Sequence, residues 1–495
     1  MSERLDLHTV AAARRIDAQA VALLGGDGDR LMQRAGQAAW QTLLQRWPQA
    51  QRICVACGSG NNGGDGYVLA RLAHCAGRQV RVVQLPECGP QSPLAQRACT
   101  DYIGVGGRIV VFDGVLEPAD VVVDGLLGIG LNRAPDAELT GLLGALAGLG
   151  TPVLALDVPS GVDAQSGRVP GAALPATLTL QFIVAHAGLY TGRALNYVGE
   201  RALATLQVPA AAFAGCVPLA AAWNAAVLRG QLVPRRRDSH KGDAGHVLCI
   251  GGNHGSGGAV MLSAESALRC GAGLVSVATR SAHVAPLLAR CPEAMAHAVE
   301  GSEALAPLLC KADVVALGPG LGQDDWAQAL WHAALASDVA LVVDADALNL
   351  LAQAPRPLPQ AVLTPHPGEA GRLLGLTAAQ VQRDRFAAAA LLADRYQAAV
   401  VLKGAGSIVA VPDQLPRVIA AGNPGMAVAG MGDLLTGVIA ALRAQGLAAF
   451  EAASVGALLH ACAGDHAAAA GGERGLLPSD LLQALRRLSN LESQR

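Results

Sequence analysis

The stretch Ile53-Cys54-Val55-Ala56-Cys57-Gly58-Ser59-Gly60-Asn61-Asn62-Gly63-Gly64-Asp65-Gly66-Tyr67-Val68-Leu69-Ala70-Arg71-Leu72-Ala73 decides how this chain is read. Residues 53–57 are an apolar run of strand length, residues 61–66 a glycine-rich turn, and residues 67–73 a helix. That order offers free backbone N–H groups and a positive helix end to an anion. The glycines let the backbone come close to a ligand, while Asn61, Asn62 and Asp65 add short polar handles. A single glycine loop is weak evidence. A second loop with similar logic, Gly430-Met431-Gly432-Asp433, stands in the other half of the chain, and two such loops point to two active sites.

At 495 residues the chain is long enough for two domains, each with its own core. Aromatic residues are only 3%, so alanine, leucine, valine and glycine must do most of the packing. The 37 basic and 39 acidic residues leave a net charge of −2, which provides no overall field for nucleic acid or an anionic membrane. The 12 histidines show no metal-ligand spacing. Several of the 11 cysteines, Cys54, Cys57 and Cys249 among them, sit inside apolar runs and read as buried reduced thiols. The first residues, MSERLDLHTVAAARRID, are too charged for a secretory signal, and no apolar run approaches the ~20 residues of a membrane helix. A cytoplasmic protein is expected.

Short valine-rich runs recur at 53–57, 80–85, 109–112, 121–124 and 153–157, with helical stretches between them. They suit parallel strands covered on both faces, so a doubly wound α/β sheet is expected over roughly 50–210. Residues 8–47 read as a helical lead-in, with Leu31, Ala35, Ala38, Ala39 and Leu43 at helical spacing. The alternation breaks at the basic stretch Val233-Pro234-Arg235-Arg236-Arg237-Asp238-Ser239-His240, an anion site or, more plainly, a solvated linker. It restarts with runs at 247–250, 275–279, 314–317, 340–344, 361–364 and 400–403. Two α/β domains are expected, 1–215 and 225–495.

In the first domain three strand ends carry polar residues: Asn61 to Gly66, Asp124 in Val123-Asp124-Gly125-Leu126-Leu127-Gly128, and Asp157 and Ser160 in Leu156-Asp157-Val158-Pro159-Ser160-Gly161. Ligands of open parallel sheets bind at the carboxyl ends of strands. Asn62, Asp124 and Ser160 can converge there as oxygen ligands, and one carboxylate with neutral oxygens suits an alkali cation better than a transition metal. Asp157 is the candidate for acid–base work. The plain alternative is that both aspartates only cap turns.

In the second domain, Gly430 to Asp433 opens a helix. The glycine amides can hold a transferring phosphoryl group and Asp433 can accept a proton, unless Asp433 is simply a helix cap. Its company favours chemistry. Lys403-Gly404-Ala405-Gly406-Ser407 suits a nucleotide, Thr364-Pro365-His366-Pro367 places a histidine between two prolines, and Gly318-Pro319-Gly320-Leu321-Gly322 is a turn of close approach. Gly251 to Ala259 opens a helix after this domain's first strand.

Taken in order, NNGGDGYVLARL, VDGLLGIG and LDVPSGVD resemble the NAD(P)HX epimerase domain, and the match covers about 8–210. The resemblance implies potassium at Asn62, Asp124 and Ser160, and Asp157 as the catalytic aspartate. It implies hydrated nucleotide at Asn61, Asn62, Gly63, Gly64 and Asp65, and at Gly128, Ile129, Gly130, Leu131, Asn132, Arg133 and Ala134. The motifs of 230–490 resemble the ribokinase-like ADP/ATP-dependent NAD(P)HX dehydratases. Here the resemblance implies adenine nucleotide at Lys403, Gly404, Ala405, Gly406, Ser407 and Gly432. It places hydrated nicotinamide at Ala259, Gly320, Gly322, His366 and Asp433, with Asp433 catalytic.

The expected architecture is a Rossmann-like three-layer domain followed by a ribokinase-like α/β domain, an order similar to that of the bacterial bifunctional NAD(P)H-hydrate repair enzymes. The implied function is epimerisation of R- and S-NAD(P)HX and dehydration of the S form with ADP and Mg²⁺, giving AMP and phosphate. The partners are then NAD(P)HX and ADP, with no nucleic acid or membrane, in a homo-oligomer. The alternative is a small-molecule kinase fused to a non-catalytic metabolite-binding or scaffold domain.

Overall fold

Runs of valine with no polar alternation must be covered on both faces, and in the computed structural model they become the strands of parallel sheets. The structure describes residues 4–86, 88–131 and 133–490. It divides into two units, one of Asp6–Ala220 and one built on the chain from Ala221 onward.

The sheet of the first unit contains β1 (Arg52–Cys57), β2 (Gln79–Gln84), β3 (Arg108–Val111), β4 (Val121–Gly125), β5 (Val153–Leu156), β6 (Leu178–Phe182) and β7 (Glu200–Ala204). The order is β3-β2-β1-β4-β5-β6-β7, with every neighbouring pair parallel. The strand order reverses between β1 and β4, which opens a crevice at their carboxyl ends. Successive residues of β1 serve different cores. Ile53, Val55 and Cys57 pack with α1 (Gly28–Arg46) and α2 (Asn61–Cys75). Cys54 and Ala56 pack with the helix Ala137–Gly148 on the other face. Three layers result. Cys54 and Cys57 have C-x-x-C spacing, but the strand period sends them to opposite faces as free thiols. The lead-in expected over 8–47 is helical only from Val10, in the helices Val10–Leu23 and α1. Before it, the strand Arg4–His8 places Leu7 and His8 in parallel register with Ala185 and His186.

The second unit contains β8 (Ala220–Trp223), β9 (His246–Ile250), β10 (Leu274–Thr279), β11 (Met295–Ala298), β12 (Val314–Leu317), β13 (Ala340–Val343), β14 (Val362–Leu363), β15 (Ala399–Leu402), β16 (Ile408–Ala410) and β17 (Arg417–Ile419). They lie in the order β11-β10-β9-β12-β13-β14-β15-β16-β17-β8. The strands from β9 to β15 pair in parallel. The chain then folds back, and β16 is antiparallel to both of its neighbours.

One face of this sheet is covered by α3 (Gly257–Arg269), α5 (Met431–Ala444) and α6 (Ala449–Gly471), while α4 (Pro367–Leu374) follows β14. The crossing of α5 over α3 depends on a missing side chain. A Cβ built on Gly437 would lie 2.0 Å from the Ser263 carbonyl oxygen and 2.1 Å from Ser266 Oγ. At that separation Ser263 Oγ donates to the Asp433 carbonyl at 2.7 Å and Ser266 Oγ to the Leu434 carbonyl at 2.8 Å. The contact therefore fixes the first turn of α5, where Asp433 sits. Gly437→Ala tests it. Alanine gains about 1 kcal/mol of helix propensity. The new methyl meets a backbone oxygen that no rotamer change can move, and overpacking costs about 1–3 kcal/mol. A net loss of stability in urea denaturation is expected, and an unchanged or raised midpoint would show that the crossing is not tight.

Candidate active sites

In the first unit, residues 61–66 are the opening turns of α2, not a loop ahead of it, and Gly60 is the N-cap. The physical reason is close backbone approach. A Cβ on Gly63 would lie 2.0 Å from the Gly58 carbonyl oxygen, so the helix can begin against the turn that feeds it only with glycine there. The unbonded amides of a helix N-terminus still face the crevice. Asn61 Oδ1 accepts from Ser92 Oγ at 2.6 Å, and a Cβ on Gly64 would run into Met32 of α1.

Asp124, at the end of β4, is fully buried. Its Oδ1 accepts from Ser160 Oγ at 2.6 Å and from the Leu126 amide at 3.2 Å, and its Oδ2 from the Ser160 amide at 2.8 Å. Ser160 Oγ in turn accepts from the Leu127 amide at 2.9 Å. Asn62 Nδ2 donates to the Leu127 carbonyl at 2.9 Å, while its Oδ1 is buried and has no hydrogen-bond partner among the described residues. Asn62, Asp124 and Ser160 thus gather around residues 126 and 127. Burial raises the Asp124 carboxyl to about 6 against these hydrogen bonds. An orphaned amide oxygen beside a buried carboxylate is a donor set that fits a weakly hydrated monovalent cation. No group of three or more His, Cys, Asp or Glu side chains among the described residues is arranged for a metal ion.

Asp157 follows β5 with φ 63°, a left-handed conformation uncommon outside glycine. Its amide donates to the Leu180 carbonyl at 2.8 Å, and its Oδ1 accepts from the Phe182 amide at 3.3 Å. Gly128 bridges the two strand ends: a Cβ there would sit 3.6 Å from Asp157 Oδ2 and 3.5 Å from Asn62 Cγ. Gly130, Leu131, Arg133 and Ala134 line a cavity of 280 Å³ together with Gly58 and Ser59. Ile129 packs against the core, and Asn132 lies outside the described residues. Sequence reasoning missed His186 and Asp17. His186 Nε2 lies 2.8 Å from Asp157 Oδ1. Burial first, and then the Asp157 charge, raise Asp65 well above its ordinary value and raise Asp17 as well.

The second unit's site collects at the carboxyl ends of β9, β12, β13, β14 and β15. Its centre is Asp344, 1% exposed, which sequence reasoning did not single out although it ends a valine run as Asp157 does. Lys403 Nζ donates to Asp344 Oδ1 at 2.6 Å and lies 3.8 Å from Glu369 Oε2. Thr436 Oγ1, on α5, donates to Asp344 Oδ2 at 2.9 Å. Burial pushes Asp344 up, but the ammonium and the hydrogen bonds outweigh it and hold the carboxyl below its ordinary value. A Cβ on Gly432 would lie 3.1 Å from Lys403 Nζ, so the glycine of the α5 loop and the lysine of the nucleotide motif are brought together.

Among the described residues no side chain hydrogen-bonds to the Asp433 carboxylate. Burial, and then Asp344, push it up to about 6. Glu369 goes to about 7, chiefly by burial. His366 caps α4, its Nδ1 accepting from the Gly368 amide at 2.9 Å, and its Nε2 is 3.4 Å from Glu369 Oε1. Burial lowers the imidazole and keeps it neutral. Gly320 sits against Ala259, with 3.3 Å from a built Cβ to the Ala259 Cβ, and the Gly322 amide donates to Asp346 Oδ2 at 2.8 Å. Arg385, buried and also missed, shapes the 403–407 turn by donating to the carbonyls of Leu402, Lys403 and Gly406. The turn closes with Ser407 Oγ donating to the Gly404 carbonyl at 3.1 Å. The result gathers a lysine, a glycine-rich turn and a carboxylate of raised pKa at one sheet edge. Such an arrangement can hold phosphates and accept a proton.

Lys403→Met isolates the central pair. It leaves Asp344 buried without its cation, which costs about 3–5 kcal/mol. Lys403 holds Asp344 below its ordinary value, so its contribution is present at neutral pH and lost as pH falls through that lowered value. Denaturation of the variant should show a large deficit at neutral pH that narrows in acid. A deficit independent of pH would contradict the pairing.

Comparison with known proteins adds five findings. Residues 247–487 match the family model described as NAD(P)H-hydrate dehydratase, and residues 28–188 match the YjeF-related protein N-terminus. The bifunctional NAD(P)H-hydrate repair enzyme Nnr of Coxiella burnetii is 47% identical over 464 residues, covering 93% of this chain and 94% of that protein. The Escherichia coli enzyme of the same name is 42% identical over 489 residues, 98% of this chain and 95% of its own. Among solved structures, a ribokinase-like superfamily protein of Enterococcus faecalis has TM-score 0.50 and 33% identity, covering 54% of this chain and 95% of its own.

Proposed function

Since this chain belongs to the bifunctional NAD(P)H-hydrate repair enzymes, we propose that its first unit interconverts the R and S epimers of hydrated NADH and NADPH and its second removes water from the S form with ADP. The observation that carries the reading is the pair of carboxylates, Asp157 and Asp433, each at a strand-end crevice beside a glycine-lined helix start. Reduced nicotinamide that has gained water across C5–C6 carries a hydroxyl at C6. In the first unit Asp157 Oδ2 faces the Gly128 turn, and in this reading that hydroxyl binds there. Proton transfer at the hydroxyl allows C6 to lose and regain its configuration through an opened ring or a dehydrated cation. Asn62, Asp124 and Ser160 hold potassium, which supplies positive charge beside the substrate when bound. The cavity lined by Leu131, Arg133 and Ala134 takes the nucleotide portion.

In the second unit Lys403, Gly404, Ala405, Gly406, Ser407 and Gly432 hold ADP, and Ala259, Gly320, Gly322 and His366 hold the hydrated nicotinamide. Asp433 accepts the C6 hydroxyl proton as the oxygen attacks the terminal phosphorus of ADP, releasing AMP. The nicotinamide N1 lone pair then expels phosphate, and loss of a C5 proton restores NAD(P)H. A hydroxyl is a poor leaving group and a phosphate is a good one, which is why a kinase-like site serves a dehydration. Magnesium is carried by the nucleotide phosphates, since Mg²⁺ is usually held by one or two carboxylates plus phosphate oxygens. The absence of any described helix long and apolar enough to cross a membrane is compatible with a cytoplasmic repair role.

Mixed epimers incubated with ADP and Mg²⁺, with NADH absorbance and free phosphate followed together, test the whole reading. Both epimers should be consumed, with one phosphate released per NADH. A stable phosphorylated product would favour an ordinary kinase. Asp433→Asn should lose about 10²–10⁴-fold in dehydration while still binding ADP. In the wild type, dehydration should fall as pH drops below about 6, where Asp433 takes its proton. Asp157→Asn should consume the S form at the normal rate and then stall with R left. Equal consumption of both epimers by that variant would remove Asp157 from the mechanism.

A further inference from the structure

We infer that His186 is the positioning partner of Asp157, gripping one carboxylate oxygen so that the other is presented to the substrate hydroxyl. The inference rests on the epimerase reading above and assigns a residue that reading does not include.

Asp65 and Asp17 lie near enough to Asp157 for its charge to raise both carboxyls. Of the three, Asp157 alone has an imidazole within hydrogen-bond distance among the described residues. The contact is specific in its atoms. His186 Nε2 and the Phe182 amide both address Oδ1, at 2.8 and 3.3 Å, while no described residue hydrogen-bonds to Oδ2, the oxygen that faces Gly128.

The imidazole is itself held. His186 is 2% exposed, and its amide donates to Gln181 Oε1 at 2.8 Å, Gln181 being braced by Tyr190 at 3.3 Å. The parallel register of the Arg4–His8 strand puts a second buried histidine, His8, opposite it. Burial lowers His8, and the Nδ1 atoms of both rings are buried without a hydrogen-bond partner among the described residues. A second N–H on His186 would find no acceptor there. The ring therefore rests as the Nε2–H tautomer, a donor aimed at Asp157. The left-handed backbone of Asp157 is a strained conformation, of the kind that persists only where the surroundings over-determine it. The His186 contact is one of those determinants.

The experiment uses two amide replacements in the full-length chain. In His186→Gln the side-chain nitrogen sits near the Nε2 position and can still donate to Asp157. In His186→Asn it sits near Nδ1 and falls short. The Asn variant should lose about 10–100-fold in epimerisation kcat, as when a partner of a functional ligand is removed, with KM little changed. The Gln variant should keep most of the rate. Dehydration of pure S-hydrate should be unaffected in both. Equal kcat in the two variants, whether both normal or both impaired, would overturn the inference. A wild type that does not interconvert the epimers would instead overturn the proposed function.

Discussion

In a parallel sheet every strand delivers its last carbonyls to the same edge, and the turns leaving that edge must be satisfied without the help of a neighbouring strand. In both units a buried carboxylate ties those turns together. Asp124 accepts two backbone amides and the Ser160 hydroxyl, tying the turn after β4 to the turn after β5. Asp344 accepts from Lys403 and Thr436, tying β13 to β15 and to the start of α5. Neither residue is accessible enough to be the proton carrier. Each holds in register the turns on which a second, less satisfied aspartate sits.

That division sorts the charges. Asp344, with its lysine, stays ionised and low, whereas Asp433, buried and placed near Asp344, is raised toward neutrality. A base is most useful when its pKa lies near the working pH, so the ion pair tunes its neighbour while remaining outside the chemistry. In the first unit the sorting is done by burial, with Asp65 and Asp17 pushed up around Asp157. Acid–base chemistry and phosphoryl transfer thus draw on the same device through different partners.

Much of this was legible in the sequence because it follows from short-range rules. Valine runs with no polar alternation could only be buried parallel strands, and glycines beside Asn62 and Asp433 marked places where backbone meets backbone. What escaped notice depends on distance in the chain. β16 and β17, three residues each, are too short to show a period and exist because they close a hairpin against β15. The helix at 61–66 was taken for a turn because glycine and asparagine are poor helix formers, while the packing against Gly58 that selects them is tertiary. Asp344 carried the same strand-end signal as Asp157 and was passed over for lack of a motif around it. His186 offered no local signal: its partner is 29 residues earlier and its neighbour His8 is at the other end of the unit.

The positive φ of Asp157 narrows the substitutions open to the lineage. Besides aspartate, only glycine and asparagine sit easily at such a backbone, and each is a single base change from an aspartate codon. Both would spare the turn and abolish the carboxylate. The first unit therefore stands one mutation from a folded, ligand-sized crevice without chemistry, and selection for binding alone would not reverse that step. A paralogue that had taken it would still look, in outline and in core, like an enzyme. The residue at this position would be the first place to look for the difference.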